Sequence, residues 1–251
     1  MVKATKMPLE SQSLLGQIAI ITGASRGIGR AIAVRLAEAG VTTVLSSRTA
    51  EDLQKVSDKI HEMGGKAFAI PTDVTDEQQL TALIERTQAT YDRIDILVNN
   101  AGGGTPRTPI TKAHLTDWNR TLRVNLWATM VLSKLVLPGM IERRQGAIIN
   151  VCSLAGVTGK AGEAAYAAAK FGVRGFTQSL FDEVHEYGIK VSTICPGYVD
   201  TAMIPPNRRI DRTKMLRAED VAEAVHNVVT SSAWVCPLEI VLQPQYDPLK
   251  T

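Results

Sequence analysis

Thr22-Gly23-Ala24-Ser25-Arg26-Gly27-Ile28-Gly29 follows the apolar run Ile18-Ala19-Ile20-Ile21 and leads into an amphipathic stretch containing Ile32, Val34 and Leu36. This is a glycine-rich turn between a strand and a helix. Such a turn holds a pyrophosphate because glycines let the backbone approach closely, while free N–H groups and the helix dipole face the anion. The spacing is GxxxGxG rather than the GxGxxG of the general dinucleotide fingerprint. A turn that binds nothing is the competing reading. The position after the first strand, in a chain whose other strand ends also carry motifs, decides for a cofactor site made by Gly23, Ser25, Arg26, Gly27, Ile28 and Gly29.

Outward from this turn, short runs rich in Ile, Val and Leu alternate with longer segments of helical periodicity, the pattern of βαβ units feeding a parallel sheet. Strands are predicted over 17–21, 42–46, 67–71, 96–98, 147–151 and 190–194, with a last one near 238–242. Helices are predicted over 27–39, 50–63, 76–90, 117–140, 163–187 and 218–229. The fold class is α/β: a single-domain, Rossmann-like, doubly wound parallel sheet with helices on both faces and ligands outside the carboxyl ends of the strands. Residues 1–13 read as a flexible tail and 14–251 as the domain. Within it the stretch 196–217 is long for an α/β connection, which marks a lid or a poorly ordered loop.

Composition narrows the function classes. The 251 residues carry 28 Lys and Arg interleaved with 25 Asp and Glu, so no stripe for a polyanion stands out and nucleic acid is not an expected partner. Cys152, Cys195 and Cys236 are odd in number and set in apolar sequence, where cysteine behaves as a small buried hydrophobe, and a reducing cytoplasm fits best. His61, His114, His185 and His226 are scattered without ligand spacing, so no metal is assigned. No signal-peptide core or run of about 18 apolar residues is present, and neither export nor a membrane is expected.

Four stretches then carry a resemblance. TGASRGIG at 22–29, NNAG at 99–102, YAAAK at 166–170 and PGYVDT at 196–201 resemble, in order, the motifs of the short-chain dehydrogenase/reductase family. The resemblance implies a nicotinamide-dependent oxidoreductase that interconverts a ketone or aldehyde and an alcohol. It also implies cofactor contacts from Asp73 and Val74, from Asn100, Ala101 and Gly102, from Tyr166 and Lys170, and from Pro196, Gly197, Val199 and Thr201. For Asp73 a helix cap is a second reading, since residues 72–75 precede a predicted helix. Family members form dimers or tetramers through their two long central helices, so a homo-oligomer is expected from the resemblance.

The end of the second predicted strand bears on which nicotinamide is used. A carboxylate there would bond the ribose hydroxyls of NAD, whereas a basic residue suits the 2′-phosphate of NADP. The chain has Ser46-Ser47-Arg48 and no acid. Ser47 permits the phosphate, and Arg48 with Arg26 would bracket it by charge-assisted hydrogen bonds, against the alternative of two solvated arginines. The expected cofactor is NADP(H).

Reduction of a carbonyl by hydride leaves an alkoxide that needs a proton. A phenol, with an ordinary pKa near 10, is a weak donor, and a lysine four residues on shares its helix face and favours the phenolate. Tyr166 and Lys170 have that spacing. For Ser153, which closes IINVCS thirteen residues before Tyr166, the resemblance implies a role in orienting and polarising the substrate oxygen, against the alternative of plain turn chemistry at a strand end. Asn125, in RVNLW, matches the family position for an asparagine that kinks the helix and holds a water beside the lysine; a buried asparagine bonded to a neighbouring carbonyl is the alternative. The substrate pocket is assigned to Ser153, Tyr166, Met203 and Ile204, with Gly103 and Gly104 or Leu154 opposite. Arg208, Arg209, Arg212 and Lys214 suit an acidic substrate or carrier, or simply a solvated basic loop, and the solvated loop is preferred. The front half most resembles bacterial 3-oxoacyl carrier-protein reductases, but the chain closes on Ile240-Val241-Leu242-Gln243-Pro244-Gln245 where those end on Gly-Gly. A small-molecule carbonyl reductase is therefore preferred, with a 3-oxoacyl-thioester reductase as the alternative. A catalytically silent NADP-binding redox sensor is the third reading, and the intact Asn-Ser-Tyr-Lys set argues against it.

Overall fold

A computed structural model describes residues 13–104, 107–204 and 210–249. Seven strands, β1 (Ile18–Thr22), β2 (Thr42–Ser47), β3 (Lys66–Pro71), β4 (Ile96–Asn99), β5 (Gly146–Val151), β6 (Ile189–Pro196) and β7 (Glu239–Leu242), form one sheet in the order β3-β2-β1-β4-β5-β6-β7. Every neighbouring pair is parallel. Between them run α1 (Gly27–Glu38), α2 (Ala50–Glu62), α3 (Glu77–Tyr91), α4 (Leu115–Leu122), α5 (Ala128–Arg143), α6 (Ala164–Val184) and α7 (Ala218–Thr230).

The continuous apolar runs of the strands follow from cover on both faces. Ala19, Ile21, Ile96, Val98 and Ile149 point to one face and pack with Ile32 and Leu36 of α1, Leu53 and Ile60 of α2, and Val225 and Val228 of α7. Ile18, Ile20, Leu97 and Ile148 point to the other and meet Leu80 and Leu83 of α3, Leu132 and Met140 of α5, and Leu180 and Val184 of α6. A side chain of this size contributes roughly 2 kcal/mol when fully buried.

Polar groups pin particular strand ends. At the carboxyl end, Asn99 donates to Asn150 Oδ1 (2.9 Å), and Asn150 donates to Thr177 Oγ1 on α6 (2.8 Å), so β4, β5 and α6 are tied directly beneath the sheet edge. At the amino end, the Asp95 carboxylate, 2% exposed, accepts the Ile18 amide at 2.9 Å and the Arg93 guanidinium at 2.5–3.0 Å. Removing that carboxylate leaves a buried N–H without a partner, which costs about 2 kcal/mol. Asp95→Ala is expected to lower the urea midpoint accordingly with an unchanged m-value; an unmoved midpoint would refute the role.

The long helix predicted over 117–140 is longer and interrupted. Leu115–Leu122 and Ala128–Arg143 are joined without a break by a π-helical turn at Arg123–Trp127. The span Leu115–Arg143 is long and apolar enough to cross a membrane by length and composition, yet Leu132, Val136 and Met140 bury against the sheet as in a core helix. The predicted helix over 163–187 closes on a 3₁₀ turn at His185–Tyr187.

Candidate active site

Strand order reverses between β1 and β4, and a cleft of about 1450 Å³ opens above their carboxyl ends. Crevices at this reversal are where open α/β sheets bind ligands. Every residue assigned to the cofactor from sequence lines the cleft, as do Ser153, Met203 and Ile204.

The glycine turn is braced from β4. Thr22 Oγ1 accepts the amides of Asn100 (3.0 Å) and Ala101 (2.9 Å), and Asn100 Nδ2 donates to the Thr22 carbonyl at 2.8 Å. Asn100 therefore shapes the turn with its side chain, a buttressing role that its sequence position alone does not disclose. Gly23 has φ +66°, in the left-handed region that glycine tolerates. A Cβ on Gly29 would fall 2.3 Å from the Gly23 carbonyl oxygen, so the turn closes only with glycine there. The N-cap of α1, Arg26, makes no side-chain cap bond, and the first turn holds no acid. Its amide groups and dipole are directed at the cleft, which suits a pyrophosphate.

At the end of β2, Ser47 Oγ is buried on the cleft wall without a hydrogen-bond partner. A hydroxyl without a partner among the described residues, at the strand end where α/β folds of this kind meet the adenosine ribose of a dinucleotide, fits a ligand that supplies the missing bond. Arg48 and Arg26 are exposed at the same wall, and neither forms an ion pair among the described residues. Asp73 accepts the amide and hydroxyl of Thr75 at 2.9 and 2.8 Å. Its carboxyl is held below the usual range, chiefly by the Thr75 amide and further by the Thr75 hydroxyl and the charges of Arg48 and Arg120. The cap of α3 is Asp76, which accepts the amides of Gln78 and Gln79, so the capping role proposed for residues 72–75 falls to the next residue.

Beyond β5, Ser153 caps a 3₁₀ turn at Leu154–Gly156 and accepts the Ala155 amide at 3.1 Å. Arg174 of α6 holds that turn by donating to the Gly156 carbonyl (2.9 Å) while forked onto Glu239 of β7 at 2.7 and 2.9 Å. Tyr166 and Lys170 share the cleft-facing side of α6, with Lys170 Nζ 5.8 Å from the Tyr166 ring centre. The ammonium is buried and donates to the Val151 carbonyl at 3.0 Å, next to Cys152 and Ser153 in the chain.

Asn125 lies inside the π turn, one hundredth exposed. Its Oδ1 accepts the Gly103 amide (3.1 Å), and its Nδ2 donates to the carbonyls of Gly103 (2.8 Å) and Thr121 (2.9 Å). The amide is thus engaged with the loop after NNAG. Gly102 packs between it and the lysine: a Cβ there would fall 2.8 Å from Asn125 Oδ1 and 3.4 Å from Lys170 Nζ.

Leu154, assigned to the substrate pocket, is not on the cleft wall; its Cδ1 sits 3.1 Å from where a Gly197 Cβ would be. Arg212 is not a solvated loop cation. It pairs with Asp200 and donates to the carbonyls of Ile204 (2.9 Å) and Thr201 (3.1 Å), folding the segment after Pro196-Gly197 back on itself. Lys214 lies 3.4 Å from Asp211. Arg208, Arg209 and the tail assigned to 1–13, save Ser13, fall outside the described residues. Sequence reasoning missed the wall made by α4 and the start of the π turn, where Leu115, Thr116, Asn119 and Arg120 of α4 and Arg123 of the turn line the cleft. The spacing of Thr116, Asn119, Arg120 and Arg123 along one helix face was the available signal.

A family model described as short chain dehydrogenase matches residues 17–211. The chain is 36% identical over 231 residues to an uncharacterized oxidoreductase of Staphylococcus aureus strain MRSA252, covering 92% of this chain and 98% of the relative. It is 40% identical over 222 residues to a 3-oxoacyl-[acyl-carrier-protein] reductase of Vibrio harveyi, covering 86% and 83%. Among solved structures, a metagenomic short-chain oxidoreductase in complex with NADP superposes with a TM-score of 0.83 at 33% identity, covering 94% of this chain and 100% of that one.

Proposed function

Because the chain belongs to the short-chain dehydrogenase family, we propose that it is an NADP(H)-dependent oxidoreductase reducing a small ketone or aldehyde to an alcohol, and catalysing the reverse. The observation that carries this reading is the convergence of Ser153, Tyr166 and Lys170 on the cleft that the glycine turn opens into. The choice of phosphate-bearing nicotinamide rests on the orphaned Ser47 hydroxyl flanked by Arg48, and the NADP complex of the structural neighbour agrees with it.

When bound, NADPH supplies hydride to the carbonyl carbon. The hydroxyls of Ser153 and Tyr166 hold the carbonyl oxygen, and Tyr166 gives its proton to the alkoxide. The Lys170 ammonium favours the phenolate that remains and is itself fixed by the Val151 carbonyl. Asn125 acts as a positioning residue, keeping Gly103 and the NNAG loop against Lys170. The side-chain amide expected to hold a water beside Lys170 bonds Gly103 and Thr121. Met203 and Ile204 form the substrate side of the cleft. A cytoplasmic location and a homo-oligomer, a dimer or tetramer, go with this function; Leu122, Trp127 and Phe171, exposed along α4, the π turn and α6, support the oligomer.

Thioester reduction is the second reading, favoured by the identity to the Vibrio harveyi enzyme. NADPH absorbance followed across ketones, diketones and acyl thioesters separates the two. Simple ketones and diketones are expected to exceed acyl thioesters in kcat/KM by about tenfold or more. The reverse ranking would transfer the assignment to thioesters, and no oxidation with any carbonyl would remove the enzyme.

A further inference from the structure

Cys152 and Cys195 take no part in the chemistry above, yet they lie against it. The β5–β6 register pairs Val151 with Ile194, and the Cys152 amide continues the ladder by donating to the Ile194 carbonyl at 2.7 Å. Cys152 is thereby set opposite Cys195, with both side chains on the same face. They share a small apolar nest with Val173 and Leu126, apart from the two main cores. Cys195 is fully buried behind the cleft, whereas Cys152, 4% exposed, forms part of its wall.

The two thiols are not equivalent. Contact with Cys195 and the charges of Lys170 and Arg174 lower the Cys152 thiol from its ordinary value against the cost of burial. The Cys195 thiol is pushed up by the same contact, by burial and by Glu239. Cys152 Sγ also donates to the Lys170 carbonyl at 3.3 Å, and a Cβ on Gly156 would fall 2.7 Å from it. The nest has no room for a bulky adduct, so a thiolate there has one small partner within reach. Neighbouring strands about 4.8 Å apart lie within the roughly 4.4–6.8 Å Cα separation that disulfides span.

We propose that Cys152 and Cys195 form a peroxide-driven disulfide at the floor of the active site, and that this bond switches the site off. The Cys152 thiolate attacks one peroxide oxygen, the O–O bond breaks, and hydroxide leaves to be protonated to water. The resulting sulfenic acid is attacked by the Cys195 sulfur; the S–S bond forms and a second water leaves. Two thiols and hydrogen peroxide thus become one disulfide and two waters. The new bond draws Cys152 Sγ from the Lys170 carbonyl and shifts the residue that precedes Ser153.

The test treats the full chain with hydrogen peroxide, alkylates the remaining thiols and maps tryptic peptides. Peptides 145–160 and 191–208, which exclude Cys236, should be joined with a loss of about 2 Da. Dithiothreitol should separate them. NADPH-coupled turnover should fall by about tenfold or more, as a displaced site would, and recover with the reductant. In Cys195→Ala, or Cys195→Ser where alanine impairs folding, no linkage should form and Cys152 should be trapped as a sulfenic acid. Unlinked wild-type peptides, or linkage through Cys236, would overturn the proposal. Linkage with turnover unchanged would overturn the switch. Because the disulfide is read by mass, its failure is distinguishable from failure of the reductase assignment.

Discussion

Tyr166→Phe is expected to lower NADPH-coupled carbonyl reduction by about a thousandfold while leaving the Kd for NADPH within about twofold. The variant removes one oxygen from a helix face on which Lys170 stays fixed by the Val151 carbonyl and Ser153 stays fixed by its own 3₁₀ turn. Only the proton donor is lost. General acid catalysis by a positioned side chain accounts for about 10²–10⁴-fold in rate, and water entering the cleft is a poorly placed substitute. Stopped-flow turnover and a fluorescence titration of NADPH separate chemistry from binding. Turnover within tenfold of the parent would overturn the assignment of Tyr166 as the acid.

The second large effect is expected at Ser47. Ser47→Asp places a carboxylate on the cleft wall beside Arg48, where the serine hydroxyl is now buried without a partner among the described residues. Two unit charges about 4 Å apart near a protein surface interact by roughly 4 kcal/mol, which corresponds to about a thousandfold in affinity for a phosphate at that point. The same carboxylate would accept the two ribose hydroxyls of NADH by charge-assisted bonds. The preference should therefore pass from NADPH to NADH in competition measurements of kcat/KM. Continued preference for NADPH would refute the placing of the phosphate at Ser47.

The strands were legible because β1, β4 and β5 are covered on both faces, so their apolar runs are unbroken, and each ends in a motif that contributes residues to one cleft. What the sequence concealed depends on contacts between distant segments. Arg212 reads as a solvated cation until the chain folds Asp200 and two carbonyls onto it. Leu154 follows Ser153 directly, but the 3₁₀ turn seats it against Gly197 and off the cleft lining. The cysteines read as independent buried hydrophobes because nothing local reveals the register that sets Cys152 against Cys195. Val124, Leu126 and Trp127 fit an α-helix as well as a π turn, so the bulge around Asn125 left no trace in periodicity.

That bulge also acts as a phase adjuster. An α-helix advances about 100° per residue, and a π turn accommodates one extra residue without breaking the rod. The segment before Arg123–Trp127 is thereby indexed to the cleft, and the segment after it, with Leu132, Val136 and Met140, to the core. A helix without the extra residue could satisfy one of these orientations only. Changes on α4 that reshape the cleft wall beside Asp73 and Thr75 can therefore accumulate without rotating α5 out of its packing, which lets this wall drift while the fold stands still.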